Sequence, residues 1–134
     1  MKKVMSIQNQ IKYLKTLNGI AWICAGIFKV FDNIPCMALT IVSFGCSVFM
    51  LLKVELSEKE NEDEMAIRDL NDAKSMTLTQ LHVIICVASV FFLFFVKSSL
   101  AQQINWSRLI VPAIFITLGI EDLLTGIHFK RLEE

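Results

Sequence analysis

Charge is the first shortage. Only 19% of the 134 residues are Asp, Glu, Lys or Arg, whereas a soluble domain carries about a quarter. With 54% hydrophobic residues and a mean hydropathy of +0.57, the composition argues against a water-soluble enzyme and for a membrane protein. Charge of one sign is missing too: 13 basic and 13 acidic side chains cancel, which leaves no reason to expect nucleic acid as a partner. There is no CxxC pair; Cys24, Cys46 and Cys86 lie inside apolar runs, where cysteine behaves as a small apolar residue. Only Cys36 approaches the end of such a run, so no disulfide and no thiol redox role are expected. No nucleophile stands beside a positioned base, and two histidines with two carboxylates fall short of a metal-ligand set. The chain is therefore read as a non-enzyme without cofactor or metal, and its length fits one domain, residues 1–134.

What is present is a series of apolar runs. A span needs about 20 mostly apolar residues to cross about 30 Å of hydrocarbon. Four segments approach that: residues 16–31, 35–54, 77–96 and 106–127. The first reaches full length only if Lys15 and Lys29 snorkel. The second opens on Pro35, a residue tolerated in a first helical turn, and the short link Asp32, Asn33, Ile34 makes the first two an antiparallel hairpin. The third contains no acidic or permanently basic residue. The fourth has an uninterrupted apolar stretch only from Leu109 to Ile120, about 18 Å long, so it must use Trp106 and Arg108 at one interface and continue past Glu121 and Asp122. No small-residue cleavage site appears at the end of the first run, where the residues are FKVFDNIP, so an uncleaved span is expected.

Lys and Arg set the orientation. Lys2, Lys3, Lys12 and Lys15 precede the first span, Lys53, Lys59, Arg68 and Lys74 flank the central loop, and Lys130 and Arg131 are in the tail; only Lys29, Lys97 and Arg108 fall on the other side. Both termini and the loop are expected in the cytoplasm, in a multi-pass cell-membrane protein. Residues 1–15 carry Val4, Ile7, Ile11 and Leu14 on one helical face, and read either as a basic amphipathic helix on the inner membrane surface or as the cytoplasmic extension of the first span.

Residues 55–76 form an acidic helical loop. Ser57 and Glu60 have capping-box spacing, and Ala66, Leu70, Ala73 and Thr77 share one side, so a helix is expected to run into the third span. Its acidic stretch ELSEKENEDE either faces the basic amino-terminal helix or repels anionic lipid. The segment DEMAIRDLNDAKSMT ahead of an apolar span resembles the loop of small multi-span bacterial membrane proteins of unestablished function, in which a DER-type triplet occupies the place of Asp63, Glu64 and Met65. The resemblance implies bacterial origin and architecture, with methionine here at the arginine position.

Glu121 and Asp122 are the candidate intramembrane charges, since acidic groups in a span usually face a bundle interior or a watery cavity. They lie about 13 Å along the helix from Lys130, so they either sit in the inner third of the membrane or meet the interface. His82 is at similar depth on the third span, near Gln80, and could pair with either carboxylate as a clasp, a proton relay or, with His128, part of a cation site. Gly19, Ala21, Ala25 and Gly26 on the first span and Gly45 on the second are candidate helix-packing positions. Phe91, Phe92, Phe94 and Phe95 suit lipid or a partner surface, and Pro112 should kink the fourth span. The expected architecture is an all-α, four-span bundle with both termini cytoplasmic. Two functions follow: an accessory or assembly subunit, or homo-oligomer, whose partners are lipid, another membrane protein or itself; or a small proton- or cation-coupled transporter using His82, Glu121 and Asp122.

Overall fold

The computed structural model describes residues 4–31, 33–58 and 64–134, and the fold is all-α. The elements are α1 (Ile7–Ile11), a π-helical turn (Lys12–Leu17), α2 (Asn18–Val30), α3 (Ile34–Glu55), α4 (Glu64–Phe95), the short α5 (Ser99–Gln102) and α6 (Trp106–Glu133). Three of them, α3, α4 and α6, are long and apolar enough to cross a membrane. At 1.5 Å per residue α4 is about 48 Å long and α6 about 42 Å, so both outrun the hydrocarbon thickness and carry their polar ends beyond it.

Local chemistry explains the boundaries. The Asn33 side chain accepts the Cys36 amide at 2.9 Å, and Pro35 occupies the first turn of α3; together they start that helix immediately after α2 ends. Ser98 caps α5 in the same way through the Ala101 amide. The helical loop expected before the third span is continuous with it: α4 begins at Glu64, with Ala73 and Thr77 buried and Ala66 and Leu70 half-buried along one side. The capping-box expectation includes Glu60, which lies outside the described residues; the Ser57 hydroxyl donates to the Lys53 carbonyl at the end of α3.

The amino-terminal segment packs on the bundle. Helical backbone passes from Ile7 to Val30 through the π turn, and the apolar face turns onto protein: Ile11, Ala73 and Phe129 are buried together, with Ile7 and Leu70 packed against them. This small core ties α1, α4 and α6 at one end of the bundle.

The centre is held by α2, which packs against both α6 and α3. Trp22, Phe44 and Phe115, one from each helix, meet edge to face with centroids 5.1–5.4 Å apart, a geometry that favours the ring quadrupoles. Below and above them the α2–α6 crossing is as close as backbones allow. A Cβ on Gly19 would stand 2.6 Å from the Gly119 carbonyl oxygen, and one on Gly26 would stand 2.9 Å from that of Pro112. Ala21 and Ala25 are buried on the same helix. Gly45 differs from its expectation as a packing glycine: nothing lies within 4 Å of where its Cβ would be, because α3 turns that position away from the bundle.

Candidate functional site

Four polar side chains from three long segments form one connected chain inside the bundle. The Lys15 ammonium, on the π turn, stands 2.6 Å from Asp122 Oδ1 on α6. The other carboxylate oxygen, Oδ2, accepts from Asn18 Nδ2 at 3.0 Å, and Asn18 Oδ1 accepts from the Ser47 hydroxyl of α3 at 2.5 Å. Asn18 and Ser47 are buried, at 6% and 4% exposure, while the Lys15 and Asp122 side chains keep 30% and 22%.

The backbone makes this possible in two ways. The close Gly19–Gly119 crossing brings Asn18 and Asp122 within reach, since Asn18 adjoins Gly19 and Asp122 follows Gly119 by three residues, close to one helical turn. The π turn inserts extra backbone per turn relative to an α-helix, and over this stretch Lys15 faces α6 while Tyr13 reaches α3. There the Lys53 ammonium donates to the Tyr13 hydroxyl at 2.7 Å and lies 4.2 Å from the ring centroid. Lys53 beside it holds the exposed Tyr13 phenol below its ordinary pKa, through the hydrogen bond first and the positive charge second, with a smaller contribution from Lys12.

A second set of polar contacts joins α4 to α6. Thr125 Oγ1 is 3.2 Å from Thr77 Oγ1 and 2.8 Å from the Glu121 carbonyl. One turn on, His128 Nε2 meets Gln80 Oε1 at 3.0 Å. Among the described residues no buried side-chain nitrogen or oxygen lacks a hydrogen-bond partner.

The expected juxtaposition of His82 with Glu121 or Asp122 is replaced by these contacts. Gln80 faces α6, and two residues further along an α-helix is about 200° around it, so His82 points out of the bundle; its Nδ1 lies 2.8 Å from the Leu78 carbonyl of its own helix. Glu121 is exposed. Asp122, one residue on, faces inward and already has its cation in Lys15. Lys15, Asn18 and Ser47 were absent from the sequence-based site. The available signal was the i, i+3 spacing of Lys15 and Asn18 at the start of the first apolar run, which places both on one helical face. Among the described residues no group of three or more His, Cys, Asp or Glu side chains is arranged to hold a metal.

No family model, curated protein or solved structure matches this chain. The chemistry of the site therefore rests on its geometry. A carboxylate held by a lysine on one oxygen and an asparagine on the other pins its helices in register. The arrangement is an ionic staple joining the π turn, α2, α3 and α6.

Proposed function

We propose that the protein is a non-enzymatic accessory or assembly subunit of a larger membrane complex, or a homo-oligomer, built as a four-span bundle in a bacterial cell membrane with both termini in the cytoplasm. The first span in this reading, residues 16–31, is the shortest of the four; it holds α2, which packs against both α3 and α6.

One observation carries the reading. The most apolar stretch of α4 buries none of its residues against the rest of the chain, and Phe91 and Phe94 are 71% and 76% exposed. An apolar face of that length must be covered by lipid or by another transmembrane surface. Meanwhile the inward-facing polar groups are consumed by contacts within the chain. Asp122 has a lysine counter-ion and His82 lies outside, so among the described residues these two do not form the interior pair that a proton or cation pathway through them needs. Polar side chains spent on internal clasps and apolar ones presented outward suit a protein that binds its neighbours.

Gentle extraction in native lipid followed by mass spectrometry tests this. A stoichiometric second protein, or a defined multiple of the chain, is expected; a lone monomer overturns the proposal. The topology is checked separately with single cysteines in a background lacking the native four. Positions 57 and 134 should react with a membrane-impermeant thiol reagent from the cytoplasmic side and position 99 from the opposite side.

A further inference from the structure

We propose that the groove between the start of α4 and the end of α6 binds the phosphate headgroup of an anionic phospholipid. The groove encloses about 460 Å³ and sits where both helices leave their apolar stretches, the depth at which headgroups lie. On its polar side are Arg131 and His128 from α6 and Ser75, Thr79 and Gln80 from α4, with Met76 and Leu132 as apolar walls.

The donors are arranged for an anion. Arg131 is exposed and carries five N–H donors in a fork that matches phosphate oxygens. His128 holds the Gln80 carbonyl oxygen at 3.0 Å, which leaves the Gln80 amide NH2 as a second donor, and the Ser75 hydroxyl supplies a third. Thr79 donates to the Ser75 carbonyl at 3.1 Å, so its role is to shape the wall. Among the described residues no carboxylate lines the groove. The neighbouring groove of about 570 Å³ between the amino-terminal helix and α6 provides the contrast: it mixes Lys12 and Lys130 with Glu133 and Glu134, and Lys130 lies 3.7 Å from Glu134. Its charges cancel. Of these two grooves, the α4–α6 one pairs net positive charge with an apolar lining, which fits a headgroup whose acyl chains continue along the exposed face of α4; basic pockets between spans on the cytoplasmic side commonly hold such lipids.

The inference rests on the membrane reading, and the test separates the two. The full chain is placed in bilayer discs of phosphatidylcholine, then of phosphatidylcholine with phosphatidylglycerol, and the lipids retained on release are counted by native mass spectrometry. Failure to enter the neutral discs would remove the membrane reading itself. Given entry, phosphatidylglycerol should be retained over phosphatidylcholine by about five-fold, the effect of one well-placed cation near the surface. Arg131→Gln and, independently, Ser75→Asp should each bring that preference close to parity, while Lys130→Gln, in the other groove, should leave it unchanged. Soluble glycerol 3-phosphate should not displace the lipid. Absence of the preference in the unaltered chain, an equal loss in Lys130→Gln, or displacement by glycerol 3-phosphate overturns the proposal.

Discussion

The Lys15–Asp122 pair shows how a partly buried ion pair contributes mainly through what its loss leaves behind. Each charge retains some contact with solvent, so the attraction is screened relative to a fully buried pair, yet removing one partner leaves the other poorly compensated. Asp122→Asn should lower stability by about 1–3 kcal/mol, measured by unfolding in mild detergent. Combining it with Lys15→Met should recover part of that loss, with a coupling of about 1–2 kcal/mol in the double-mutant cycle; additive losses would mean the two side chains do not interact. Tyr13 offers an independent probe, because it is the only tyrosine in the chain and its ultraviolet titration reports a single group. Its folded-state pKa is held below the ordinary value near 10 by Lys53. A depressed acid favours the folded state at pH above its unfolded value, and that contribution is lost as pH falls through the folded value. Lys53→Met should move the titration up toward 10 and Lys12→Met should move it less; no movement in Lys53→Met would show that the Tyr13–Lys53 contact is not formed.

At the scale of the helices, packing is decided by which glycines meet backbone. A Cβ at Gly19 would meet the Gly119 oxygen and the Leu123 nitrogen, each at 2.6 Å, and main-chain atoms of a packed helix cannot give way as a flexible side chain does. Gly19→Ala should therefore cost about 1–3 kcal/mol and separate α2 from α6. Gly45→Ala meets open space and should be neutral or stabilising by up to about 1 kcal/mol through helix propensity. The same unfolding assay reads both, and equal effects at the two positions would contradict the crossing described. These two residues also mark how far periodicity reaches. The apolar runs, the Pro35 helix start and the inward stripe from Ala66 to Thr77 are legible because each is a local pattern, whereas the Asn33 cap reads in sequence only as part of a link. Gly19 and Gly45 look alike in sequence, and only the partner helix distinguishes them. The π turn left no periodic signature, so the direction of Lys15 was hidden, and with it the staple. His82 turns outward for a related reason: depth along a helix is readable in sequence, whereas rotation about its axis is fixed by neighbours such as Thr125 and His128.

For the molecule as a whole, the unequal attachment of the helices has a consequence. The trio of α2, α3 and α6 is bound by glycine crossings, the Trp22–Phe44–Phe115 cluster and the ionic staple, whereas α4 packs chiefly on α6. Its attachments run from Ala73, packed with Ile11 and Phe129, to the middle of the helix at the Thr77–Thr125 and Gln80–His128 contacts, and resume at its carboxyl end, where Phe92 and Phe95 meet Trp106 with centroids 5.2 and 6.2 Å away. Phe129 is only 2% exposed, and truncating such a side chain costs about 3–5 kcal/mol. Because the inner α2–α6 crossing does not use Phe129, the loss should fall on α4. With the native cysteines removed, a Thr77→Cys, Thr125→Cys pair replaces hydroxyls 3.2 Å apart and should crosslink readily under mild oxidation. Adding Phe129→Ala should slow that crosslink several-fold while a second pair, Asn18→Cys with Asp122→Cys, placed across the α2–α6 crossing, keeps its own rate. If both pairs slow together, the bundle loosens as one cooperative unit; if only the α4 pair slows, α4 is a separately detachable helix, as expected for an element whose outer face is completed by something other than this chain.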